Sequence, residues 1–219
     1  PGEFFSVCSQ LLDKDGFIMI EVEFLNDIIE TQGFERFYFD RPHYYTVSSL
    51  QRLSAKFGFE IIEVNRIEAH GGSIQVKFMR SNEIIKNQKV VSEEIKPLTR
   101  GNILEYFRKF ENSCNELKNK LIEFKKNGDQ FGGFGCPARL STITNFANIG
   151  PELIPFVVDD TPLKQFRYTP GRHIPIIPFE GSPSVENYLV FAYEYIDSIR
   201  LKFSDRGKSF FRPIPFVKI

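Results

Sequence analysis

Three short runs in this chain combine residue types that can bind an anion or move a proton. The sharpest is Gly133-Phe134-Gly135-Cys136-Pro137-Ala138, a G-x-G-x-x-A run between a strand-like and a helix-like stretch, with Pro137 suited to a first helical turn. In that setting the glycines permit a tight turn and close approach of backbone to phosphate. The helix start adds unpaired N–H groups. Gly133, Gly135 and Ala138 are therefore candidate nucleotide-binding residues. Arg139, next to them, is either an anion partner or a solvated helix residue. Asp159 and Asp160 close the following strand-like piece, where a ribose-binding acid sits in such units. A Gly-rich turn needed only for packing is the alternative.

The second run is Tyr38-Phe39-Asp40-Arg41-Pro42-His43-Tyr44-Tyr45. Histidine is the side chain whose ordinary pKa lies closest to neutrality, so His43 is a candidate general base. Tyr38 and Tyr44 can orient a substrate hydroxyl, while Asp40 and Arg41 can equally form a structural ion pair. The third run is His70-Gly71-Gly72-Ser73, whose glycines leave room for a ligand beside the backbone or simply cap a hairpin. His173, in Pro170-Gly171-Arg172-His173, reads by residue type as a turn residue. With three dispersed histidines and cysteines only at 8, 114 and 136, no metal site is expected, and the thiols read as reduced, as in the cytoplasm.

These runs must be held by α/β elements. A helix over 4–12 precedes the Asp15-Gly16 turn, and Phe17–Val22 reads as a buried strand. Helices follow at 25–31 and Val47–Phe57, the latter with Thr46 as N-cap and Gly58 as stop. Strands at 59–66 and 73–79 without an intervening helix imply an antiparallel pair. In the polar stretch 81–126, Ile103, Phe107, Phe110, Cys114, Leu117, Leu121 and Phe124 make a heptad stripe on one long bridging helix. Beyond it, strand-like pieces at 130–134, 155–159, 174–177, 188–192 and 209–214 are mostly separated by helix-compatible segments, notably 137–148 and 193–204. That alternation implies a parallel sheet. The expected organisation is 1–80, a helical linker 81–127, and a second unit 128–219.

The 219 residues carry 28 basic and 28 acidic groups, so the basic excess of a nucleic-acid binder is missing. No apolar run approaches the ~20 residues that span a bilayer. Nucleic acid and membrane are therefore not expected partners, and a cytoplasmic protein is the expectation. The 24 Phe can fill a sizeable core. The chain begins Pro1-Gly2-Glu3 without Met, which suggests an internal fragment.

Taken in order, these motifs resemble the NDP-hexose C-methyltransferases, which methylate a keto deoxysugar nucleotide. The likeness rests on Leu12–Glu21, the Phe34–Val47 loop and Ala69–Ile74 in the first half. In the second half it rests on Gly133–Thr142, Val157–Lys164, Tyr168-Thr169-Pro170-Gly171-Arg172-His173-Ile174-Pro175-Ile176 and Arg212–Phe216. The resemblance implies an α/β fold: the end of a class I methyltransferase (Rossmann-like) sheet, then a second small Rossmann-like domain that holds a nucleotide-linked sugar. It also implies S-adenosylmethionine as methyl donor, with the cofactor pocket mostly outside this chain, so that the chain alone is inactive. Lys164 and His173 enter as nucleotide-site candidates through the same resemblance.

One departure stands at the loop. Such enzymes usually carry Tyr-His-Glu-His there, with the last His as proposed base, whereas this chain has Tyr38-Phe39-Asp40-Arg41. A guanidinium stays protonated and cannot be a base. His43 or His70 is left for proton abstraction next to a ketone, and Arg41 for holding an enolate, carboxylate or phosphate. The rival readings are an NAD(P)-dependent oxidoreductase domain built on the G-x-G-x-x-A unit and a non-catalytic nucleotide-sugar-binding module.

Overall fold

A computed structural model describes residues 1–38, 41–69, 72–81, 98–203 and 207–219. The chain divides into two compact units: Pro1–Gly33 with Arg41–Leu104, and Phe34–Asp40 with Glu105–Ile219.

The first unit runs α1 (Gly2–Leu11), β1 (Phe17–Glu23), α2 (Leu25–Glu30), α3 (Val47–Ala55), β2 (Phe59–Ile67) and β3 (Ser73–Arg80). Its three-stranded sheet has the order β1-β3-β2, with β3 antiparallel to both neighbours, as the two strands without an intervening helix required. Helix α3 starts where Thr46 places its hydroxyl on the Ser49 N–H and Ser49 returns its own hydroxyl to the Thr46 N–H. This is a reciprocal capping box. Gly58, at φ +77, ends the segment. Phe5, Phe24, Leu50, Phe59, Ile74, Val76 and Phe78 form the core.

The expectation of a buried β1 is corrected. Phe17 and Met19 are 52% and 47% exposed while Ile18 between them is 6% exposed. A strand at the edge of the described sheet buries one face only, so its side chains alternate.

The second unit opens with the turn Phe34–Arg36, then the greater part of α4 (Arg100–Lys126). Tyr106, Phe110, Cys114, Leu117 and Leu121 are its buried stripe. The predicted stripe is corrected at its start: Phe107 is 40% exposed and Tyr106 is buried instead. A straight helix turns every 3.6 residues, so a 3.5-residue repeat drifts off the buried face along its length. Gly128, at φ +90, ends the helix.

The rest is β4 (Phe131–Phe134), α5 (Ala138–Phe146), β5 (Val157–Val158), β6 (Arg167–Tyr168), β7 (Pro175–Ile177), β8 (Asn187–Val190), a short 3-10 turn at Tyr193–Tyr195, α6 (Ile196–Lys202), β9 (Ser209–Arg212) and β10 (Val217–Lys218). The sheet order is β10-β9-β8-β4-β5-β7-β6. Its five inner strands are parallel, and β10 and β6 close the edges antiparallel. This is a Rossmann-like α/β arrangement, as read from the sequence. The alternation is looser than expected, for helices complete β4-α5-β5 and β8-α6-β9, but among the described residues none stands between β5 and β8.

Strands β4 and β8 are hydrogen-bonded neighbours whose outgoing connections lead to opposite sides, to β5 and to β9. In open α/β sheets the crevice beyond the carboxyl ends at such a divergence is where ligands bind.

Candidate functional site

The turn after β4 is fixed from several directions. The Gly133 and Gly135 N–H groups donate to the carbonyls of Phe156 and Val158 at 2.8 and 2.7 Å, stitching it to β5. A Cβ on Gly133 would lie 2.7 Å from Val157 Cγ2. Gly135 sits at φ +80, and a Cβ there would lie 2.6 Å from Ala192 Cβ. Packing therefore demands both glycines, whatever they bind.

Asp159, 6% exposed at the end of β5, braces the same turn. Its carboxylate accepts from the Cys136 N–H at 2.6 Å and from the Thr161 N–H at 2.9 Å. Lys164 Nζ donates to the Cys136 carbonyl at 3.0 Å and to Asp159 at 3.3 Å. Burial works against the Asp159 charge, but the hydrogen bonds from Thr161 and Cys136, with Lys164, outweigh it and hold the carboxyl below its ordinary range. Burial, then Asp159, push the Cys136 thiol up to about 11.

Two hollows flank this brace and share Cys136, Pro137 and Lys164. The larger, about 650 Å³, is lined also by Phe37, Tyr38, Ala138, Thr142, Asn145 and Tyr168, with Arg167 at its wall. The smaller, about 380 Å³, lies among Gly135, Asp159, Thr161, Ser198 and the Asp160–Lys202 ion pair. Rings, hydroxyls and ammonium or guanidinium groups around a volume of this size suit a small phosphorylated ring compound.

Tyr38 is thus brought together with Ala138 and Lys164. Arg139 is turned elsewhere: it pairs with Glu194, and its guanidinium carbon lies 4.5 Å from the centroid of the Tyr193 ring. His173 is exposed, at φ +54, with its N–H on the Thr169 carbonyl at 3.1 Å, and lines neither hollow. Sequence reasoning missed Thr142, Asn145 and Arg167. The one available signal was the polar pair Thr142 and Asn145, three apart on the helix the glycines open.

In the first unit, Arg41, His43 and Tyr45 line a separate hollow of about 290 Å³ with Glu21, Glu23 and Ser73, at the carboxyl end of β1. Arg41 pairs with Glu23, and the His43 ring stacks 6.3 Å from that of Tyr45. The alternation of β1 carries Glu21 and Glu23 there, residues hidden by the reading of β1 as a buried strand. Asp40 and His70 lie outside the described residues. Gly72, at φ +126, would place a Cβ 2.5 Å from Asp27 Oδ2.

This hollow does not fit S-adenosylmethionine. It is at the lower limit of ligand-sized cavities, two carboxylates face into it, and β1 passes to α2 through Phe24 with no glycine turn for a nucleoside. Among the described residues no group of three or more His, Cys, Asp or Glu is placed to hold a metal ion. Among the same residues no helix is long and apolar enough to cross a membrane.

Comparison with known proteins gives these features a family. The chain is 27% identical over 222 aligned residues to the C-methyltransferase NovU of Streptomyces niveus, with 96% of this chain and 53% of that protein covered. It therefore spans about half the length of this curated relative. Residues 68–215, about two thirds of the chain and including both hollows' glycine turn, match the family described as the C-methyltransferase C-terminal domain. The chain belongs to the C-methyltransferase C-terminal domain family.

Proposed function

We propose that this chain is the C-terminal portion of an S-adenosylmethionine-dependent C-methyltransferase acting on a nucleotide-linked keto sugar. Residues 1–80 are the end of the methyltransferase domain, 81–127 a helical linker and 128–219 the nucleotide-binding domain. The carrying observation is that Tyr38, the retained first residue of the family's loop, lines the same hollow as Ala138 and Lys164 beside the β4 turn. The nucleotide is held there, with Tyr168 offering a ring face and Arg167 a positive charge. The methyl donor is bound by residues outside this chain, and the chain alone is inactive.

On this reading a base removes the proton next to the ketone. S-adenosylmethionine, when bound, would supply the methyl group to the resulting carbanion by breaking its sulfonium S–CH3 bond, leaving as the neutral thioether. His43 is the base, for it is exposed and lines a hollow with Glu21, Glu23 and Arg41, open to a reacting proton. Pairing with Glu23 offsets the charge of Arg41, so Arg41 orients more than it stabilises the enolate.

The test is calorimetric titration of the chain with pyrimidine and purine nucleoside diphosphates, alongside fluorescence titration with NADH and NADPH. A nucleoside diphosphate binds, and Tyr168→Ala weakens it roughly 2- to 10-fold, the worth of one ring stack. Tight NADH binding with no diphosphate binding returns the reading to an oxidoreductase. The brace of Cys136 N–H by Asp159 speaks against that rival, since it occupies an N–H that a dinucleotide pyrophosphate needs. In the complete protein, unchanged turnover in His43→Ala removes His43 as base.

A further inference from the structure

The segment Phe34–Tyr38 is held in the second unit by contacts with residues more than sixty positions away in sequence. The Phe34 ring stacks on Phe110 with centroids 3.5 Å apart. The Thr142 hydroxyl donates to the Phe37 carbonyl at 3.0 Å, and Thr142 and Phe37 both line the larger hollow with Tyr38. The Tyr193 hydroxyl donates to Glu35 Oε1 at 2.6 Å, and Glu35 is 7% exposed.

Tyr193 is itself constrained on all its chemistry. The guanidinium carbons of Arg139 and Arg212 each lie 4.5 Å from its ring centroid. Arg139 is tied by an ion pair to Glu194, the next residue. Burial, then Glu35, push the Tyr193 phenol well above its ordinary range while the two arginines oppose, so it remains a neutral donor at every working pH. A buried carboxylate, one phenol and two cations are an expensive cluster to keep for packing alone.

We propose that Tyr193, held between Arg139 and Arg212, is a positioning residue: through Glu35 it fixes the 34–38 segment so that Tyr38 faces the hollow. This rests on the substrate reading above for its catalytic consequence, but not for the existence of the clamp. Tyr193 opens the 3-10 turn that follows β8, three residues past Val190 on the outgoing side of the sheet's divergence.

The experiment compares Tyr193→Phe, Glu35→Gln and Glu35→Ala in the complete protein. Phe keeps the ring between the guanidiniums and removes only the donor, while Gln keeps a carbonyl acceptor. Amide hydrogen exchange at 34–38 accelerates at least tenfold in Tyr193→Phe and Glu35→Ala, with β4, β5 and β8 unchanged. For methyl transfer, kcat falls about 10- to 100-fold in those two variants, the worth of one hydrogen bond to a charged group. KM moves less than threefold, and Glu35→Gln stays within about threefold of the parent. Unaltered exchange at 34–38, or unaltered kcat in a protein whose parent is active, overturns the proposal. A parent that transfers no methyl group retires the methyltransferase reading instead, and the exchange measurement then decides the clamp by itself.

Discussion

Replacing Gly135 by alanine separates two demands the structure makes on one residue. The first is conformational: at φ +80 an L side chain costs about 1–2 kcal/mol. The second is steric, because the new Cβ stands 2.6 Å from Ala192 Cβ and 3.2 Å from Ala192 N, well inside ordinary contact. Relieving such overpacking by a backbone shift costs a further 1–3 kcal/mol or so. Gly135→Ala should therefore destabilise the chain by about 2–5 kcal/mol, lowering Tm by roughly 5–15 °C at this chain length. Gly128 supplies the control, for at φ +90 with nothing within 4 Å of its Cβ position it carries only the first demand. Gly128→Ala should cost about 1–2 kcal/mol. Ala192→Gly in the Gly135→Ala background should return about 1–3 kcal/mol by emptying the contested space. The assay is urea unfolding followed by circular dichroism, since the chain has no Trp. Equal costs at 135 and 128, or no recovery from Ala192→Gly, would refute the close approach of the β4 turn to the β8 connection.

Four further expectations follow from single groups. Tyr106 is 1% exposed, and its hydroxyl has no hydrogen-bond partner among the described residues, so Tyr106→Phe should raise stability by about 1–2 kcal/mol in thermal unfolding. Cys136, with its thiol near 11, should react with iodoacetamide very slowly at pH 7.5 and about tenfold faster per pH unit above that; Asp159→Asn should speed it, and no acceleration would contradict the assigned cause. Asp159 titrates below its unfolded value near 3.9, so its contribution to stability is complete above that pH and lost as pH falls through the folded value. Asp159→Asn should flatten that acid limb in a pH-resolved unfolding series. Thr46→Ala should cost about 1 kcal/mol by opening the α3 capping box, measurable as a shift in the urea midpoint.

Local signals were the most legible. The Thr46 cap, the Gly58 stop, the antiparallel pair and the β4-turn-α5 unit depend on neighbours in sequence, and their residue types announce them. Two kinds of feature escaped. The first depends on which face an element buries: β1 reads as a buried strand, so its exposed Phe17 and Met19, and the turning of Glu21 and Glu23 into a hollow, require the pairing with β3 to be known. The second depends on distant partners. Nothing in Phe34-Glu35-Arg36-Phe37 foretells Phe110, Thr142 and Tyr193 as its companions, and nothing in Arg139 foretells Glu194. The larger hollow was half visible, through the glycine turn, Lys164 and Tyr38. Its other wall, Arg167 with Tyr168, comes from the β5–β7 connection, where no helix marks the spacing.

The second unit is not a continuous stretch of polypeptide, since seven of its residues come from Phe34–Asp40. A truncated protein beginning after Leu104 would lack them, and Phe110, Phe107 and Phe146 would lose the ring that lies among them. Such a product should be sticky and poorly soluble, although every strand of its sheet is present. Supplying the missing heptad as a synthetic peptide should restore it, which makes the short segment a natural handle for splitting and reassembling this half of the molecule.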